Sequence, residues 1–177
     1  SAKPFEITWD AKAAERGEYT HFMLKEIFEQ PKAISETLLG RFSEDSKVIC
    51  SELASLNLDI DRILILACGT AYHAGLIGKY AIEQWAKIAV DVELASEFRY
   101  RKPFLTAKTL VITISQSGET MDTLMAARHA KELGASTLSI CNTMGSSIAR
   151  ESDAVFYTHA GPEIAVASTK ALLTQIV

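Results

Sequence analysis

The sequence predicts an α/β protein: a three-layer, doubly wound, five-stranded parallel sheet in the order 2-1-3-4-5, preceded by an N-terminal helical arm. Three observations carry this. Residues 63–67 (I-L-I-L-A) and 110–114 (L-V-I-T-I) are apolar almost throughout, which suits strands covered on both faces, as in a parallel sheet between helix layers. Segments of helical periodicity separate such runs. Small, hydroxyl-rich loops follow the strands.

Residues 90–94, 137–141 and 154–157 supply three weaker strands. In 72–87, Ile77, Ala81 and Trp85 recur every fourth position with Leu76 and Tyr80 beside them, marking the apolar face of a helix. A second helix over 121–133 carries Met121, Leu124 and Met125 on one side and stops at Gly134, a residue suited to the left-handed position after a helix. With right-handed crossovers, the economical arrangement is one doubly wound sheet.

The ends differ in character. Residues 1–17 show little periodicity and read as an arm. A helix is expected over 20–30, with Phe22, Met23, Glu26 and Ile27 at helical spacing, ended or kinked before Pro31, and a second over 34–40. The chain therefore divides into an arm with helices (1–45) and a sheet domain (46–177). Residues 170–177 place Leu172, Leu173, Ile176 and Val177 on one helical face without a cap, so the last helix is expected to be cut from a longer parent.

A chain of 177 residues, 48% hydrophobic, forms one domain with a substantial core. A net charge of −4 with scattered Lys and Arg argues against nucleic acid as a partner. No apolar run approaches the ~20 residues that span a bilayer, and no leader pattern opens the chain, so a cytoplasmic protein without a membrane partner is expected. Cys50, Cys68 and Cys141 are widely spaced and expected to be reduced and mostly buried. The four histidines lack ligand spacing, so neither a metal nor a cofactor is expected.

Chemistry is expected beyond the carboxyl ends of the strands, near the point where strand order reverses. Two loops leave the central strands there: Cys68-Gly69-Thr70-Ala71, where Thr70 can cap the next helix, and Ser115-Gln116-Ser117-Gly118-Glu119-Thr120. Three hydroxyls, an amide and a glycine ahead of a helix suit a phosphate, held by backbone N–H groups, the helix dipole and uncharged donors. The same composition also suits an ordinary strand-to-helix turn. Glu119 would repel a phosphate, so its side chain should turn away and orient the loop. A third segment, 161–170 (G-P-E-I-A-V-A-S-T-K), should reach the same rim, with Ser168 or Thr169 capping the last helix.

C-G-T at 68–70, S-Q-S-G-E-T at 115–120, V-A-S-T-K at 166–170, K-E-I-F-E-Q-P at 25–31 and A-S-E-F-R-Y-R at 95–101 together resemble the first sugar-isomerase (SIS) domain of the isomerising glutamine:fructose-6-phosphate aminotransferases, the glucosamine-6-phosphate synthases. The resemblance runs from Trp9 to the end. S-Q-S-G-E-T alone would extend to phosphosugar isomerases and sugar-sensing regulators; a phosphosugar-sensing module is the alternative, though residues 1–60 lack a basic helix-turn-helix pattern.

The resemblance implies that Ser115, Gln116, Ser117 and Thr120 hold the phosphate of fructose 6-phosphate or glucosamine 6-phosphate. It implies that Thr70 contacts the sugar and that Val166 and Ser168 line it. Ala71 stands where the family often has a further serine donor, and Cys68 is expected to pack at the base of the pocket. The resemblance also places the general base, the ring-opening histidine and the imine-forming lysine in a second SIS domain and C-terminal tail. It places a glutaminase domain ahead of this one. No catalytic residue is expected here: Lys170 and His73 are read as helix-surface residues. Family members dimerise, so a homodimer is expected.

Overall fold

The computed structural model describes residues 14–177; most of the expected arm, residues 1–13, lies outside the described residues. Five strands, β1 (Arg62–Ala67), β2 (Ala89–Leu94), β3 (Thr109–Ser115), β4 (Ser136–Cys141) and β5 (Ala154–Tyr157), form one sheet ordered β2-β1-β3-β4-β5. All pairings are parallel. Among the described residues seven α-helices accompany them, α1 (Phe22–Phe28), α2 (Gln30–Leu38), α3 (Thr70–Ala86), α4 (Ala95–Phe98), α5 (Met121–Glu132), α6 (Ser147–Glu151) and α7 (Lys170–Ile176), with a short 3-10 helix at Ser51–Ser55. The expected fold class and strand order are those observed, and the short helix α4 is an addition. No helix among the described residues is long and apolar enough to cross a membrane.

The central strands fill two cores by strict alternation. Ile63, Ile65, Ala67, Ile112 and Ile114 face the side carrying α3, where Ala71 joins them. Leu64, Leu66 and Val111 face the other side, against Ala95 and Phe98 of α4 and Ala126 and Ala130 of α5. Every residue of β3 is buried, so successive side chains serve opposite layers.

The face of α3 differs from the expectation. Ala71, Ala74 and Gly75 are the buried residues, whereas Ile77 is 50% exposed and Trp85 79% exposed. A Cβ on Gly75 would lie 2.9 Å from Ile65 Cγ2 and 3.2 Å from Val92 Cγ1. The helix lies so close to a β-branched sheet surface that only small residues fit directly between; Tyr72 and Ile82 pack half-buried against the core, whereas Ile77 and Trp85 turn outward. Met121, expected in the apolar stripe of α5, is likewise exposed, while Thr123, Leu124, Ala126, Ala127 and Ala130 are buried. Gly134 takes the left-handed φ of 89° expected after that helix.

At the N-terminal side, Glu29 both closes α1 and opens α2. Pro31 lies in the first turn of α2, where its missing N–H is harmless, so that helix starts at Gln30, earlier than expected. Helix α2 packs on α7, with Ala33, Ala160 and Ala171 at the contact. Lys170 is not on a helix surface: it is 3% exposed, and its Nζ donates to Glu29 Oε2 at 2.6 Å. All three cysteines are free, but only Cys141 is buried; burial pushes its thiol up. Cys50 and Cys68 are half-buried, because one lies outside the sheet and the other lines a cleft.

Asp153 joins β4 to the α5 end. Its Oδ2 accepts from Thr137 N (2.8 Å) and Oγ1 (2.9 Å), and its Oδ1 accepts from Lys131 Nζ (2.7 Å). Partial burial pushes the carboxyl up, but Lys131 and the Thr137 donors outweigh it and hold the group below the usual carboxylate range. A carboxyl lowered in the folded state stabilises above its unfolded pKa and loses that contribution as pH falls through the folded value. Asp153→Asn is therefore expected to lower the urea midpoint at pH 7, with the gap to wild type closing as pH falls through and below the usual carboxylate range. Lys170→Ala removes the buried partner of Glu29, which keeps Lys25 Nζ at 3.6 Å from its other oxygen, and the lost pair and packing at this helix junction are expected to cost about 1–3 kcal/mol, read as a lower thermal midpoint.

Candidate functional site

The sheet order places the reversal between β1 and β3: β1 runs into α3 on one face and on to β2, while β3 runs into α5 on the other face and on to β4. A crevice opens where the two chain paths part. It forms a cleft of about 190 Å³ whose lining includes Cys68, Thr70, Ala71, Ser115, Gln116, Ser117, Thr120, Val166 and Ser168. The seven residues expected to bind ligand, drawn from three separate segments, thus surround one space.

The first wall is the β1–α3 turn. Gly69 adopts φ 60° and ψ −137°, a backbone region open to glycine alone. Gly69 is the N-cap, with no side-chain cap bond, and Thr70 is the first helical residue. Thr70 therefore does not cap the helix as expected, since it already lies inside it. Its hydroxyl makes no bond to a described residue.

The second wall is the 115–120 loop, whose shape depends on Gly118. With φ 66°, a Cβ there would lie 2.0 Å from Ser146 Oγ and 2.7 Å from Cys141 Sγ. The backbone passes over the β4–α6 connection with no room for a side chain. Ser115 is buried; its Oγ accepts from Gly118 N at 3.0 Å and lies 3.3 Å from Thr120 Oγ1. Ser117 Oγ accepts from Glu119 N at 3.2 Å. Two loop amides are thus consumed by loop hydroxyls, while those of Ser117, Thr120 and Met121 have no acceptor among the described residues. Thr120 is the N-cap of α5 but makes no cap bond, so the leading amides of this helix remain available to an anion.

Glu119 turns away, as expected: its Oε1 accepts from Ser147 N at 2.7 Å. That amide holds the carboxyl below the usual range. The charge therefore rests on the first turn of α6.

The third wall, 161–168, is held by carboxylates. Glu26 of α1 is 2% exposed, and its Oε1 accepts from Ile164 N (2.6 Å) and Ala165 N (3.0 Å). Glu163 Oε1 accepts from Thr169 N (2.7 Å) and Ala171 N (3.4 Å). Glu163 thereby satisfies the start of α7, the role expected of Ser168 or Thr169. Its distance ahead of the helix is not a capping-box spacing, so local sequence carries no cue. Ser168 Oγ is left buried with no partner among the described residues. Val166 is fully exposed at the cleft rim. Thr123, Glu163, Ala165 and Gln175 also line the cleft and were not anticipated. His73 is exposed on α3 and does not line it.

A family model described as SIS domain matches residues 58–177. Over 98% of its length the chain is 62% identical to the glutamine–fructose-6-phosphate aminotransferase (isomerizing) of Corynebacterium diphtheriae, covering 28% of that protein. It is 61% identical over 99% of its length to the Streptomyces coelicolor protein of the same name, covering 29% of it. A solved structure of the C-terminal domain of glucosamine-fructose-6-phosphate aminotransferase from Francisella tularensis superposes with a TM-score of 0.86 at 47% identity, over 92% of this chain and 46% of that one. The chain thus spans less than a third of the length of these two curated relatives.

Gly118→Ala is expected to combine left-handed strain of ~1–2 kcal/mol with overpacking of ~1–3 kcal/mol. The thermal midpoint should fall accordingly. Gly69→Ala should incur the strain without the overpacking, since no atom lies within 4 Å of its Cβ position, and so should lower the midpoint less.

Proposed function

The chain belongs to the SIS domain family, and from that premise we propose that it is the first phosphosugar-binding domain of an isomerising glutamine:fructose-6-phosphate aminotransferase. In this reading the parent enzyme converts fructose 6-phosphate and glutamine into glucosamine 6-phosphate and glutamate, and residues 46–177 form the binding domain. The observation that carries it is the convergence of three sequence-distant, hydroxyl-bearing segments on the crevice between β1 and β3.

The phosphate sits at the start of α5. Amides of Ser117, Thr120 and Met121 and the hydroxyls of Ser115, Ser117 and Thr120 meet its oxygens, with the Gln116 amide beside them. No lysine or arginine among the described residues lines this cleft, so helix dipole and neutral donors hold the dianion, and release stays easy. Thr70, Ser168 and the backbone at Val166 meet the sugar.

Ammonia transfer and aldose formation need a base that moves a proton between neighbouring carbons and an amine that forms an imine with the ketose. Lys170 is tied to Glu29 and lies outside the cleft lining, so it is not that amine. These groups belong to the remaining domains of the parent, and this chain alone binds without turning over. A cytoplasmic, homodimeric parent acting in amino-sugar biosynthesis completes the reading; the exposed Tyr80 and Trp85 suit an assembly surface.

Calorimetric titration with fructose 6-phosphate, glucosamine 6-phosphate and free fructose tests the assignment. Both esters should bind more tightly than fructose. Ser117→Ala and Thr120→Ala should each weaken the esters by roughly 3–10-fold, the worth of one neutral hydrogen bond. Equal binding of fructose and its 6-phosphate would overturn the reading.

A further inference from the structure

Helix α7 carries three buried polar side chains whose situations differ. Lys170 bonds Glu29, and Thr174 Oγ1 donates to Ala171 O at 3.0 Å. Gln175, 9% exposed, has a buried Oε1 without a partner, and no described residue bonds its carboxamide. A buried amide left unpaired is costly in a native protein, and a ligand or water normally completes it.

Its surroundings indicate the side from which a partner comes. Gln175 is the residue shared by the phosphosugar cleft and a second groove lined by carbon-rich side chains such as Phe42, Val48, Ile140 and Phe156. Among the donors of that groove, Arg41 is engaged by Glu52 at 2.6 Å, and the hydroxyls of Thr158 and Thr174 already donate, to Asn142 Oδ1 and Ala171 O. The cleft side instead holds Thr70 and Ser168, and Ser168 Oγ is itself buried and unpaired. Two residues of the 161–177 segment that line this cavity, Ser168 and Gln175, thus each carry a buried polar atom without a partner among the described residues.

We infer that the Gln175 carboxamide is a recognition group for the hydroxylated carbon chain of the bound ester, its Oε1 accepting a hydrogen bond from a sugar hydroxyl. This rests on the phosphosugar reading above but assigns a residue and a subsite separate from the phosphate loop. A polar group that would otherwise stay buried and unpaired discriminates strongly for a ligand able to complete it.

The test compares two probes, fructose 6-phosphate and inorganic phosphate, on the same protein. Gln175→Leu should weaken fructose 6-phosphate by roughly 5–20-fold and leave inorganic phosphate unchanged, because the latter touches only the loop. Thr120→Ala should weaken both. Unchanged ester affinity in Gln175→Leu, or equal loss of both probes, overturns the inference while leaving the phosphate loop standing. Failure of the unmutated protein to bind either probe overturns the phosphosugar reading and this inference with it. If Gln175→Leu does not fold, the side-chain amide resonances of Gln175 in the unmutated protein decide. They should shift with fructose 6-phosphate and stay in place with inorganic phosphate; equal response to both, or to neither, overturns the assignment.

Discussion

The constraint on which the molecule depends is the divergence of α3 and α5 from adjacent strands onto opposite faces of one sheet. Because β1 and β3 pair directly while the helices that follow them lie in different layers, neither helix can roof the gap between them. Two helix beginnings are left bordering one crevice, each short of partners for its leading amides. An anion is the natural completion of such a place, and the loops around it supply hydroxyls without adding charge.

Keeping that crevice open demands that its walls be held from behind. Three carboxylates do this by the same physics: each accepts backbone N–H groups of a neighbouring segment, and two of them serve the start of a helix. Glu119 fixes the 115–120 loop to α6, Glu163 organises the start of α7, and Glu26 reaches from α1 to grip the 164–165 backbone. The N-terminal helices are thus part of the scaffold of the third wall, although their residues stand far from it in sequence. In Glu26 and Glu163 it is Oε1 that accepts these amides, and Glu26 Oε2 stays buried without a partner among the described residues.

The strands and their order were legible because burial on both faces leaves an unbroken apolar run, and because parallel pairing limits the ways such runs connect. That the 115–120 loop would border the cleft was legible for a similar reason: hydroxyls, glycine and a strand-to-helix junction are local signals. The face of α3 was not. Its sequence offers an apolar stripe at Ile77, Ala81 and Trp85, yet the sheet surface admits only Ala71, Ala74 and Gly75 at close approach. Periodicity identifies an apolar face; it does not say which of two faces has room to pack.

Sequence alone therefore determined the layer architecture, the strand order and the candidate ligand loops, since each follows from neighbours along the chain. The tertiary structure decided which polar groups are used up and which remain: Lys170 buried against Glu29, Glu163 in place of a local cap, and Ser168 and Gln175 without partners. These outcomes depend on residues brought together from opposite ends of the chain. A side chain's supply of hydrogen-bond partners is a property of that assembled neighbourhood, not of its place in the sequence.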